Sequence, residues 1–220
     1  VNEEMITMKK KTVVSLFVLA LVAFGAWSIT GCTEEEIIEI ALATEFPAEF
    51  VQNSTSEQWD TFKIIDLAAE VEKALEGTDY SREDLTKAVL NGASYEVTDW
   101  TPPVGDHDDW VVGGKVTVQR TDGNPGPVTE VFTYSGVSVK NSVHVKTVAD
   151  LNPAGVGVIN AALESFVDDP TSEPVLQFVT SNESVVPSPS VQDPIIFDWT
   201  VWVRYQLLVP KIFDKFDPLP

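Results

Sequence analysis

The chain has 220 residues, with 34 acidic against 14 basic side chains and a formal net charge of −20. A surface this negative repels nucleic acid and anionic headgroups, which argues against a nucleic-acid partner. Its one cysteine permits no disulfide within these residues and no cysteine-based zinc site, so a packed apolar core has to hold the fold.

In chain order the first feature is Lys9-Lys10-Lys11, followed by an uncharged apolar run over 13–29 and by Ile29-Thr30-Gly31-Cys32. A basic head, an apolar centre and a small-residue exit are the parts of a secretory signal. The lysines hold the front end in the cytoplasm while the run partitions into hydrocarbon. From Met8 to Cys32 the segment resembles the lipoprotein signals of bacteria, with Ile29 where leucine is commoner. The resemblance implies that the Cys32 thiol is joined to a diacylglycerol and that the chain is cut just before it. Cys32 then becomes a lipidated N-terminus, anchored to the cell membrane or to an outer membrane. Two acyl chains give a stable anchor where one does not. An uncleaved spanning helix and an ordinary cleaved signal are the alternatives. Glu3 and Glu4 are unusual ahead of a signal, and Met8 is read as its start. The expected division is a signal peptide over 1–31, a lipidated tether over 32–36, one domain over 37–212 and a tail over 213–220.

Residues 37–43 alternate and predict a strand, and 44–53 a second extended segment broken by Pro47. A β-rich stretch over 62–67 leads into a helix over 68–75, with Asp66 as N-cap and Gly77 as stop. Ser81 and Asp84 have capping-box spacing, which predicts a second helix to about Leu90, ended by Asn91-Gly92. Period-two patterning then predicts strands over 93–100 and 110–120, the latter with a bulge at Gly113-Gly114. The turn signal over 121–126 joins 110–120 to a hairpin partner over 128–134. One or two strands are expected over 137–148, a loop over 152–155 and a helix over 158–167.

A strand over 175–180 is followed by a Pro/Ser loop over 181–194. The last strand is the clearest. Phe197, Trp199, Val201, Val203, Tyr205, Leu207 and Val209 share a face that has to be buried, while Asp198, Thr200, Trp202, Arg204 and Gln206 share the other. Such a strand belongs inside an antiparallel sheet that covers a core on one side. The expectation is a mainly β fold, an antiparallel β-sandwich with two or three short helices behind an N-terminal signal helix. The layout resembles several uncharacterised sandwich lipoproteins, a likeness of architecture that implies no functional residue.

The densest polar cluster is the stretch 99–110. Its Asp99, Asp106, Asp108 and Asp109, with Gly105 to permit a sharp turn, are candidate ligands for Ca²⁺, which takes several oxygens around one point. The other reading of the cluster is a solvated acidic loop, and no other cofactor is expected. Trp100, Trp110, Tyr134 and Trp202 are candidate stacking residues for a sugar or another flat ligand, with core packing as the alternative. His107 and His144 are the only histidines, the second placed on a predicted strand, and no partner for either is marked. No catalytic signature is present. The chain reads as an exported, lipid-anchored envelope protein, a non-enzymatic binding or structural module with the membrane and a carbohydrate or protein as partners. The alternatives are a carboxylate-dependent hydrolase such as a glycosidase, and an accessory subunit of an envelope assembly.

Overall fold

The structure, a computed structural model, describes residues 36–123, 125–169 and 171–213. The signal run, Cys32 and the tail beyond Phe213 lie outside them. Eight antiparallel strands are described: β1 (Glu36–Ser54), β2 (Trp59–Asp66), β3 (Lys87–Trp100), β4 (Val111–Arg120), β5 (Thr129–Ser138), β6 (Thr147–Val148), β7 (Val175–Val186) and β8 (Ile195–Phe213). Two helices join them, α1 (Leu67–Leu75) and α2 (Pro153–Asp168). One sheet has the order β1-β8-β3-β6 and the other β2-β7-β4-β5, so the fold is the expected mainly β, two-sheet sandwich. No described helix is long and apolar enough to cross a membrane.

Strand β8 explains the packing. It lies between β1 and β3, and its inward residues from Phe197 to Val209 are each at most 2% exposed. Burying side chains of this size stabilises a fold by about 1.5–3 kcal/mol each. Opposite them the second sheet contributes Val116, Val118, Phe132, Leu176 and Phe178, all buried. Aromatic contacts cross the gap: Tyr134 and Trp199 have ring centroids 4.8 Å apart, and Phe46 meets Phe178 edge-on at 6.3 Å.

A polar chain also spans the two sheets. Gln52 of β1 donates to Thr61 at 2.7 Å and Thr180 at 3.1 Å, and accepts from Trp59 Nε1 at 2.6 Å and Asn182 at 3.3 Å. Tyr134 donates to Asn182 at 2.8 Å, and burial pushes its hydroxyl above the usual phenol range. Gln52, Thr180 and Asn182 are buried, so these bonds satisfy groups that water does not reach.

The helices follow local chemistry. Asp66 accepts from Ala69 N at 3.1 Å and caps α1, and Gly77 has a positive φ of 78° just beyond its end. Asn152 accepts from Ala154 N at 2.9 Å, so the expected loop over 152–155 is instead the first turn of α2, with proline where its missing N–H costs nothing. Arg82 closes the other end of α2. Its guanidinium donates to the carbonyls of Phe166, Asp169 and Ser172, each at 2.8 Å, and lies 3.7 Å from the Phe166 ring centroid.

Four other expectations are corrected. Strand β1 runs unbroken through Pro47, because an edge strand turns alternate amides away from its neighbour and tolerates proline there. The capping box at Ser81 and Asp84 opens only a single 3-10 turn, Arg82–Asp84, and the chain enters β3 by Lys87. Pairing with β8 and the alternate burial of Ala88 and Leu90 override the helix signal. The expected strands over 137–148 reduce to the end of β5, a 3-10 turn and the two-residue β6. His144 sits there at φ 58°, exposed and not on a strand. Finally, β7 continues to Val186 and takes up the first part of the expected Pro/Ser loop. The bulge at Gly113-Gly114 is present, where β4 shifts register against both neighbours.

Candidate functional site

The acidic loop over 101–110 joins β3 to β4 at one end of the sandwich. Its carboxylates do not converge. Asp99 accepts from the amide of its neighbour Trp100 at 2.8 Å. Asp106 is exposed. Asp108 pairs with Lys140 Nζ at 3.0 Å, a hydrogen bond and a charge that together hold it below the usual carboxylate range. Asp109 turns the other way: it accepts from Trp110 N at 2.7 Å, from Lys140 N at 2.8 Å and from the Ser138 hydroxyl. Among the described residues no three His, Cys, Asp or Glu side chains are grouped to hold a metal. Of the oxygens that Ca²⁺ would need, those of Asp99, Asp108 and Asp109 are engaged with amides, an ammonium and a hydroxyl.

What organises the loop is Asp193, a residue with no mark in the sequence. Its carboxylate accepts from Val104 N at 2.7 Å and meets His107 Nε2 at 2.9 Å. The Val104 amide is the main cause that holds Asp193 below the usual carboxylate range, with His107 adding to it. Gly105 is needed for this approach, because a Cβ there would lie 2.4 Å from Asp193 Oδ2. His107 Nδ1 faces the carbonyl of Asp109 at 2.8 Å. Both ring nitrogens thus face oxygen atoms, one of Asp193 and one of the Asp109 backbone. The ring stands edge-on over Trp110, with centroids 4.4 Å apart. The arrangement is a clasp between the loop before β4 and the turn before β8.

The four aromatic candidates are not brought together. Trp110 is completely buried and Tyr134 is only 5% exposed, so both are core residues and neither offers a ring face to a ligand. Trp100 is half-buried at the end of β3. Trp202 lies on the outward face of β8, half-buried. Its Nε1 donates to Glu96 at 3.1 Å, and Lys146 Nζ lies 3.9 Å from its ring centroid. Lys146 also pairs with Glu45 at 3.1 Å, so a lysine from the loop after β5 covers this ring.

A groove of about 380 Å³ runs between Thr86 and residues 87–89 of β3 on one side and the side chains of Asn160, Glu164, Val167 and Asp168 on α2 on the other. Beside it, Asn160 Oδ1 accepts from Leu90 N at 2.7 Å. Sequence reasoning missed this groove, since it depends on how α2 lies along a strand more than sixty residues earlier.

No family model and no curated protein matches the chain. Among solved structures it is similar to that of Desmodium yellow mottle tymovirus, with 11% identity over 95% of this chain and 100% of that one, at a TM-score of 0.29. It is similar also to that of turnip yellow mosaic virus, with 10% identity over 91% of this chain and 94% of that one, at 0.26. The structure of infectious bursal disease virus Gx strain covers 91% of this chain with 49% of its own, at 11% identity and 0.25. Likenesses this distant carry no argument about function.

Proposed function

We propose that this chain is exported and held to a membrane by acyl chains on Cys32, and that its acidic domain works by binding a partner or as a structural part of an envelope assembly. One observation carries the reading. The sequence has one cysteine, and it stands directly after a triple-lysine head, an uncharged apolar run and Ile29-Thr30-Gly31. Glu34, Glu35 and Glu36 come next and keep the domain from lying on anionic headgroups. The groove beside α2 supplies a surface for recognition.

The test is Cys32→Ser in the native host. The expected result is loss of processing and of acyl mass, read by intact mass of the detergent-extracted protein. A product of unchanged size, still in the membrane pellet, overturns the reading.

A further inference from the structure

The free side of β3 is covered along only part of its length. β6 pairs with Ser94 and Tyr95, and among the described residues nothing pairs with 86–90 on that side except Asn160, which accepts the Leu90 amide. In an antiparallel ladder successive residues turn their backbone N–H and C=O to opposite sides. Leu90 N points towards α2, so Ala88, two residues earlier, turns its N–H and C=O the same way. Both therefore face the groove, which Ala88 lines. Asn160 already does for Leu90 what the carbonyl of a neighbouring strand does.

The groove has the volume of an ordinary ligand site. Its helix wall is acidic. Glu164 and Asp168 are exposed, and among the described residues neither makes a salt bridge. Against them the strand wall has one base, Lys87. The whole chain carries −20, so a cationic partner is also drawn in from a distance.

We infer that this groove docks an extended, basic segment of a partner protein, which adds a strand to the unpaired edge at Ala88 and sets lysine or arginine side chains against Glu164 and Asp168. Backbone pairing supplies the affinity in this mode, and alternate side chains supply the specificity. The inference rests on the reading that the chain works by binding, but not on the anchor. Failure of the Cys32→Ser test leaves it standing, and its own failure leaves the anchor standing.

The probe is a short fluorescein-labelled peptide alternating lysine and valine, titrated by anisotropy against the full chain in detergent micelles at physiological ionic strength. Saturable binding is expected. The double variant Glu164→Lys/Asp168→Lys should weaken it about ten-fold or more, equal to about 1.4 kcal/mol. Ala88→Pro should do the same with the fold intact, because it removes an amide that β8 does not use. If Ala88→Pro fails to fold, the backbone-methylated form of the peptide, which cannot pair as a strand, tests the same bond and should not bind. Glu49→Lys/Asp198→Lys, a matched reversal on the outward face of the other side of the sheet, should leave affinity unchanged. The inference is overturned by the absence of saturable binding, by equal loss in that control, or by equal binding of the methylated peptide. A dimer that Ala88→Pro dissociates overturns it in favour of a second copy of this chain.

Discussion

His107 Nε2 stands 2.9 Å from Asp193 Oδ2, across 86 residues of sequence, and this contact joins the loop before β4 to the turn before β8. The Asp193 carboxylate also holds the Val104 amide, and its pKa is depressed for that reason first. A depressed carboxyl stabilises the fold above the pKa it has when unfolded, and that contribution is lost as pH falls through its lower folded value. Asp193→Asn should therefore be less stable than the parent at neutral pH, with the Val104 amide exchanging faster. The gap should narrow as pH falls through the lowered folded pKa of the parent carboxyl, where the parent too takes up its proton. Thermal melts over a descending pH series check this, and an unchanged gap contradicts it.

Arg82 should resist replacement even by lysine. Its guanidinium serves three carbonyls at the end of α2 and stacks on Phe166. An ammonium is a point charge and cannot reproduce that fork. Arg82→Lys should lower unfolding free energy by about 1–3 kcal/mol, the scale of charge-assisted hydrogen bonds. Urea denaturation measures it, and a loss below about 0.5 kcal/mol would show that the carbonyls find water instead.

Two glycines of α2 should respond with opposite signs. A Cβ on Gly155 would lie 2.4 Å from the Glu130 carbonyl oxygen and 2.7 Å from Val131 Cα, both backbone atoms of β5. Gly155→Ala should destabilise by about 1–3 kcal/mol, the range for overpacking. At Gly157 nothing lies within 4 Å, and the helical preference for alanine should give about 0.5–1 kcal/mol of stabilisation. Chemical denaturation of the two variants side by side decides it.

Gln52 is the hub of the inter-sheet polar chain, with bonds to Thr61, Thr180, Trp59 and Asn182. Gln52→Leu leaves Trp59 Nε1 and Asn182 Nδ2 without their acceptor, while Thr61 and Thr180 keep each other at 2.7 Å. The expected cost is about 1–3 kcal/mol for each of these polar groups left unpaired. A urea midpoint within error of the parent would mean that water enters and takes over the bonds.

Strand β8 was legible because its two faces obey a strict period of two over more than a dozen residues, a signal that needs no partner to be read. Residues 81–90 misled for the opposite reason. Ser81 and Asp84 do form their capping box, yet from Lys87 onward pairing with β8 sets the backbone, and that partner lies more than a hundred residues away. The acidic loop was legible as a cluster and not as a device. Whether Asp109 faces solvent or the Ser138 hydroxyl depends on where β5 ends. Asp193 carried no local signal at all, since it lies in an ordinary polar turn. Trp110 and Tyr134 illustrate the same limit, because an aromatic ring near a loop reads alike whether it is sealed in the core or open to a ligand.

The pairing of β1 with β8, Glu36 opposite Phe213 and Ser54 opposite Ile195, bears on how the protein is made. Among the described strands β8 is the last in chain order, and it lies between β1 and β3, so these two wait without their common neighbour until synthesis has passed it. Contacts this remote in sequence slow folding, because a long loop must close before they can form. Until Ile195 appears, the edges of β1 and β3 that β8 will occupy therefore stand unprotected, and any chaperone that shields them must act before then.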